Sequence, residues 1–572
     1  MKTLVFDIET NGITDFTNLT DLKCIHCIGV SDGISTKVYH GKLEVENAVK
    51  LLTKADVLVG HNVFGFDIRA LKLLFNFQPK GIVYDTLILS RLCWPDVKEE
   101  DFTRLNSGFP KNYIGRHSLG AWGYRLGVIK GQFKDTNTFE TFSQEMADYC
   151  ARDVEITSLL YAKLQGQELN PKSVALEQEF SLIMQEQERC GIPFNIEAAT
   201  SLYSDLIDLK SKLTTELVSL FPPKIVQLKT KQRVIPFNPG SRLQISEGLI
   251  AKHGWRPTEF TPDGRPMVNE EILSTLEYDE AKLLSRYLLL EKRIGQLGDG
   301  NEGWLKLVKK GRIHGRVNTN GALTGRCTHS SPNMAQVPSV KSPWGKECRA
   351  LFYAPAGYKM VGVDASGLEL RCLAHYMAKY DDGKYAETVV NGDIHTLNQK
   401  AAGLPTRDAA KLFIYALIYG AGDEKIGKII GGTRQSGKQI KDKFLAKVPA
   451  IKKLKEGVEY ALDIKKSLNG LDGRKLKPRS KHAALNTLLQ SAGAVLMKRA
   501  TILSWEKFKK AGIEVQQVAH VHDEIQFITK EENAERVGKL CVESIAEAGK
   551  IFGFRCSLGG EYRVGNNWAE TH

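Results

Sequence analysis

Residues Val518–Phe527 read VAHVHDEIQF. Apolar residues on both sides of a sudden His-Asp-Glu make the pattern of a tight β-hairpin: strand, polar tip, strand. Any turn is polar, but a turn does not need two adjacent carboxylates. The tip is either an ordinary solvated turn or the holder of a metal ion. The second reading requires a partner carboxylate elsewhere in the chain.

Lys359–Arg371, KMVGVDASGLELR, supplies that partner. An apolar strand ends at Asp364 and a helix-like segment follows, so Asp364 projects from a strand end as Asp523 projects from the hairpin tip. Two such acids on adjacent strands suit hard cations, which take oxygen ligands from carboxylates and substrate phosphates. Between them lies TRDAAKLFIYALIYGAG, in which Arg407, Lys411, Tyr415 and Tyr419 recur every four residues. Each step advances about 40° round a helix, so the four form a slowly winding stripe. Its cations suit phosphate oxygens, and its rings suit stacking on a sugar or base. Alone, such a stripe reads as an exposed helix face with two aromatics packed inward; between two carboxylate sites it reads as a triphosphate cradle.

A second group of acids opens the chain. Asp7 and Glu9 in LVFDIET share one face of a strand. Asp67 ends HNVFGFD, and Tyr149 and Asp153 in DYCARDVEIT stand one helical turn apart. Each element is common by itself. In this order, four converging carboxylates would hold two divalent metals that activate a water and stabilise the leaving oxygen of a phosphodiester, with Tyr149 orienting that water.

The front set resembles the 3′–5′ exonuclease domain of the DnaQ-like, ribonuclease H-type superfamily. The remainder resembles family A (DNA polymerase I-like) DNA polymerases. DASGLELR stands as motif A, the Arg407–Tyr419 stripe as motif B and HDE at His522–Glu524 as motif C. TGRCTHSSPNMAQVP, GDIHT, HAALNTLLQSAGA and the ending GNNWAETH are similar to the replicative polymerases of T-odd-type bacteriophages. The resemblance runs from Asp7 to Trp568. It implies an α/β multidomain chain: a ribonuclease H-like exonuclease domain over 1–170, thumb over 171–309, first part of the palm over 310–376, fingers over 377–486 and second part of the palm over 487–572. It implies metal-ligand roles for Asp7, Glu9, Asp67 and Asp153 in one site and for Asp364 and Asp523 in the other, with Glu524 near the primer end. Two magnesium ions per active site are implied, with manganese as a substitute. His395, Arg407, Lys411 and Tyr415 would bind the incoming deoxynucleoside triphosphate, and Glu369 would crowd its 2′ position. Arg326, Tyr419, Asn486, Gln490 and His522 would contact primer–template DNA. The implied activity is DNA-directed DNA synthesis with proofreading, alongside a phage helicase–primase and a single-stranded DNA-binding protein, in the cytoplasm of a bacterial host.

The totals agree with this reading without requiring it. Over 572 residues, 79 Lys and Arg stand against 66 Asp and Glu, a surplus of 13 that suits a polyanion. The length suits roughly three to four domains. No apolar run approaches membrane-spanning length, and MKTLVFDIET carries acids where a signal peptide would be apolar. Ten cysteines without a framework fit a reducing compartment. Cys24-Ile25-His26-Cys27 alternates like a strand and reads as structural, with metal or redox use as its alternative. Gly432–Lys438 begins like a P-loop, but Gln439 replaces the Ser or Thr that would ligate magnesium, and no strand precedes it. RKLKPRSKH leads into HAALNTLLQ and is expected to track template phosphates. The T-odd phage enzymes carry a long basic thumb insertion that clamps host thioredoxin. Here FPPKIVQLKTKQRVIPFNPGSR, with Lys224, Lys229, Lys231 and Arg233, stands in its place and is very short. Its shortness speaks against a thioredoxin partner. Three rivals remain open from the residues: an exonuclease with a non-catalytic DNA-binding C-terminal region, an inert DNA clamp, and an RNA polymerase, the last opposed by Glu369 and the front acids.

Overall fold

A computed structural model describes residues 1–15, 17–131, 133, 139–227 and 232–572. The chain divides into two units: Met1–Cys190 with Val317–His329 and Val361–Val564, and Gly191–Arg316 with Ser330–Met360 and Gly565–His572. Among the described residues, no helix is long and apolar enough to cross a membrane.

The two largest sheets belong mainly to the first unit. β1 (Thr3–Thr10), β2 (Ile25–Ser31), β3 (Thr36–His40), β4 (Val57–Gly60) and β5 (Ile82–Asp85) lie in the order β3-β2-β1-β4-β5. β1–β2 and β2–β3 are antiparallel; β1–β4 and β4–β5 are parallel. The interior strand β4, Val-Leu-Val-Gly, is buried at every position, as a parallel strand covered on both faces should be. Leu4, Phe6, Ile8, Ile28, Val30 and Leu58 form the core under this sheet. A mixed sheet with helices in the same half is the α/β arrangement expected for the front of the chain. Helices α1 (Asp67–Phe75), α2 (Leu119–Leu126) and α3 (Gln144–Gln165) follow in the same half. α3 lies close over β2 because residue 29 is glycine: a Cβ there would stand 2.9 Å from Val154 and 3.1 Å from the Cys150 sulfur.

The second sheet is built from β6 (Tyr358–Ala365), β7 (Val515–Val521), β8 (Glu524–Lys530) and β9 (Gly560–Gly565), in the order β7-β8-β6-β9. β7 and β8 form the hairpin anticipated from VAHVHDEIQF; Val521 pairs with Glu524, so His522-Asp523 is a two-residue tip. Pro171 has a definite place in the fold. It starts α4 (Pro171–Cys190), the helix position where its missing N–H costs nothing. The 31-residue helix later in the chain (Lys481–Ala511) is buried on nearly all sides from Ala484 to Ser504 and begins on a Ser480 cap.

The run RKLKPRSKH meets carboxylates within the chain. Arg474 is buried and forms ion pairs with Asp472 and Glu177, both 2.7 Å away, and Glu177 also takes Lys498 at 2.6 Å. Lys475 pairs with Glu168 (2.5 Å), Lys477 with Asp96 (3.2 Å) and Arg479 with Glu99 (3.9 Å). Much of the run's charge thus meets carboxylates between Asp96 and Glu177, hundreds of residues away in sequence and invisible to a local reading.

In the second unit, α5 (Ile196–Leu220) packs on α6 (Asp279–Ile294). Phe194, Trp304, Phe352 and Trp568 interlock with ring centroids 5.3–6.2 Å apart, which places the Trp of GNNWAETH in a core. The short basic stretch is an antiparallel pair, Lys224–Gln227 with Gln232–Ile235. Lys224 pairs with Glu247; Lys229 and Lys231 lie outside the described residues.

Candidate active sites

His522 has φ 58°, the left-handed region that a non-glycine residue occupies at a cost of roughly 1–3 kcal/mol. The Asp523 carbonyl accepts a 3.1 Å hydrogen bond from Ala365 N–H, which pins the tip beside the end of β6, where Asp364 is exposed. β9 closes on the other side. A Cβ at Gly560 would stand 2.9 Å from the Asp364 carbonyl oxygen. Burial raises the Asp523 carboxyl above its ordinary range, while Arg326 and His522 pull it down. Glu524 is in a different setting: it is buried on β8, and its carboxylate accepts from Gln526 Nε2 at 2.8 Å.

A cavity of about 20 Å³ beneath the tip is lined by Arg326, Leu368, Lys498, His520, His522 and Asp523, room for one water. His520 escaped the sequence reading. Neither of its ring nitrogens has a hydrogen-bond partner, it packs edge-on against Phe180, and burial holds its pKa down to about 3.

Glu369 lies in the first turn of α7 (Leu368–Asp381), where its carboxylate takes Arg326 at 3.1 Å and the Tyr419 hydroxyl at 2.6 Å. Arg326 ends a tight turn at Gly325, φ 76°. α8 (Ile394–Ala402) carries His395 in its first turn, and α9 (Arg407–Ile418) carries the stripe. Arg407 and Lys411 are exposed and Tyr415 is half-buried, while Phe413 and Ile414 pack inward; Tyr419 falls just past the helix end. Burial, then the charges of Arg407 and Lys411, lowers the His395 pKa, so these three side chains share one cationic neighbourhood. Asp393, which sequence reasoning passed over inside GDIHT, caps α8 and holds Arg407 Nε at 2.9 Å. Asn486 and Gln490, one turn apart on α10 (Lys481–Ala511), are both half-buried.

The front acids gather as well. Oxygens of Asp7, Glu9 and Asp153 lie within 4.8 Å of one another, the one such metal-ligand group among the described residues. Asp67 starts α1 and accepts from Ile8 N–H at 3.2 Å; burial and the neighbouring Asp7 push its carboxyl well up. Tyr149 is buried one turn before Asp153 on α3. The sequence reading missed Lys130, whose Nζ is 2.5 Å from Asp153 Oδ2 and 4.6 Å from the Tyr149 ring centre. Cys24 and His26 are neighbours, and Cys27 is buried with Cys150 in a small core.

The chain thus carries two groups of carboxylates, one on the five-stranded sheet and one at the strand ends of the four-stranded sheet. Residues 206–570 match the family profile described as DNA polymerase family A, and the chain belongs to that family. It is 35% identical to the DNA-directed DNA polymerases of Enterobacteria phage T3 and Escherichia phage T7, in both cases over the whole of each chain. The alignment with the T3 enzyme runs over 711 positions, so that relative carries well over a hundred residues that this 572-residue chain lacks. The DNA polymerase I of Pseudomonas aeruginosa is 25% identical over 86% of this chain and 54% of its own. Among solved structures, the POL domain of Pol1 from M. smegmatis, in complex with DNA primer-template and dNTP, superposes with a TM-score of 0.78 at 18% identity, covering 99% of this chain and 96% of that one. The fold is accordingly that of a family A polymerase.

Proposed function

We propose that this chain is a DNA-directed DNA polymerase that extends primers at Asp364 and Asp523 and removes misplaced 3′ ends at Asp7, Glu9, Asp67 and Asp153. The observation that carries the reading is the hydrogen bond from Ala365 N–H to the Asp523 carbonyl, which joins the hairpin tip that bears Asp523 to the strand end that bears Asp364. The donor sets fit magnesium: both are carboxylate oxygens, and in the front group three approach within 4.8 Å. Magnesium ions, when bound, would stabilise the attacking and leaving oxygens of an in-line displacement at phosphorus. The chain's own residues would do the rest. Arg407, Lys411 and His395 receive the triphosphate, and Tyr415 lies against its sugar and base. Glu369, held by Arg326 and Tyr419, fills the space a 2′-hydroxyl would need. Arg326, Asn486, Gln490, Tyr419 and His522 face the primer–template. In the front site Tyr149 orients the attacking water.

In this assignment 1–170 is the exonuclease domain, 171–309 the thumb, 310–376 and 487–572 the palm, and 377–486 the fingers. The short Lys224–Ile235 segment supports a polymerase that works without thioredoxin or with another factor.

The test is extension of a labelled primer on long single-stranded DNA with magnesium and four deoxynucleotides, with a DNA trap added at the start. Long products mean that the short thumb segment suffices. Products of a few nucleotides mean that a processivity partner exists. No extension even without the trap overturns the reading and returns VHDE to an ordinary turn.

A further inference from the structure

Lys130 stands outside every motif that marks the front site, yet the chain goes to some length to put it there. α2 ends at Gly127, φ 76°, and the chain folds back so that Val128 N–H bonds the Gly123 carbonyl at 2.9 Å. This return depends on Gly123. A Cβ there would stand 2.5 Å from the Val128 carbonyl oxygen and 3.4 Å from Lys130 N. Two glycines thus bring residue 130 across α2 towards α3. The lysine side chain is 19% exposed, and its ammonium reaches Asp153 Oδ2 and the face of Tyr149. The Tyr149 ring is held from another side by Phe133, 5.6 Å away.

An ammonium has three donors and no acceptor, so Lys130 cannot be a metal ligand. It does two things that a ligand could not. It offsets part of the repulsion among Asp7, Glu9, Asp67 and Asp153, and it ties one carboxylate and one phenol to a single point. Burial works against its charge, but Asp153 and Tyr149 outweigh burial and hold its pKa above the ordinary lysine value.

We propose that Lys130 is a positioning residue of the exonuclease site, acting through Asp153 and Tyr149 to hold them in register with Asp7 and Glu9. The proposal rests on the exonuclease reading given above. It carries a signature that mere packing does not. A cation beside the ligands opposes the binding of another cation, so removing it should tighten metal binding while slowing the reaction. Loss of a packing group would slow the reaction and weaken metal binding.

The experiment compares wild type with Lys130→Met and Lys130→Arg, each also carrying Asp364→Asn and Asp523→Asn for the binding measurement. Single-stranded DNA degradation is followed against magnesium concentration in the proteins with intact palm acids, Mn²⁺ binding is measured by electron paramagnetic resonance, and primer extension checks the fold. The expected result for Lys130→Met is a turnover on the order of a hundredfold lower, Mn²⁺ binding about tenfold tighter, and unchanged extension. Lys130→Arg should recover most of the turnover. Unchanged degradation, or slower degradation with weaker or unaltered Mn²⁺ binding, overturns the proposal. If wild type degrades no DNA with any metal, the exonuclease reading itself falls. Unaltered Mn²⁺ binding in Lys130→Met would then still overturn the role given to Lys130.

Discussion

Under the proposed function Asp7 and Asp523 serve separate chemistries, and single substitutions should separate them. Asp523→Asn should lower primer extension on the order of 10³-fold, the rate equivalent of losing ~4 kcal/mol of transition-state stabilisation, and leave single-stranded DNA degradation intact. Asp7→Asn should do the converse. A variant that loses both activities would mean that the two sites are not independent. Glu369 invites a third substitution. In Glu369→Ala, Arg326 and Tyr419 lose their common carboxylate and the space beside the sugar opens. Ribonucleotide incorporation, measured in competition with deoxynucleotides, should rise; unaltered discrimination would remove Glu369 from this role. In the proposed assignment Tyr415 would offer its hydroxyl to the sugar of the incoming nucleotide. Tyr415→Phe should therefore incorporate dideoxynucleotides less readily than wild type, and equal discrimination by the two proteins would sink that reading.

At the scale of elements, what the sequence disclosed depended on how local the signal was. The hairpin at Val518–Phe527 was legible because alternation and turn chemistry are written within ten residues. The α9 stripe was legible to within one residue, since Tyr419 lies past the helix end. The front acids were legible as an ordered set, but their closeness depends on Gly29, whose meaning appears only once α3 lies on β2. Lys130 and Asp393 were missed for a different reason. A lysine in a loop and an aspartate before a helix have no periodicity, and their partners are Asp153 and Arg407, set by tertiary contact. The ion pairs of RKLKPRSKH were not legible because its counter-charges are remote. The buried part of that network should matter most. Glu177→Gln leaves Lys498 and Arg474 short of a carboxylate in the interior and should cost about 3–5 kcal/mol in urea unfolding. Glu99→Gln, at an exposed pair, should cost less than about 1 kcal/mol.

Over the whole molecule, acid should be the weak side. Burial is the leading cause that holds His61, His117 and His520 down to about 3 in the folded chain. In the unfolded chain each ring takes a proton near 6.5. Between those values the unfolded state binds more protons. The stability these neutral rings contribute is therefore present above pH 6.5 and is lost as pH falls towards 3, by up to ~1.4 kcal/mol per pH unit for each ring. Urea midpoints at pH 7.5 and 5.5 check this; a higher midpoint at pH 5.5 would contradict it. The ladder from Lys475 to Arg479 has a consequence for dissecting the enzyme. A shortened polymerase made by deleting residues 1–170 would lose Glu168, Asp96 and Glu99 and lay bare the cations they neutralise. Such a fragment would carry a newly adhesive flank, retained on any polyanionic resin and released only by added salt, so its gain in DNA affinity would be an artefact of the cut rather than a property of the parent.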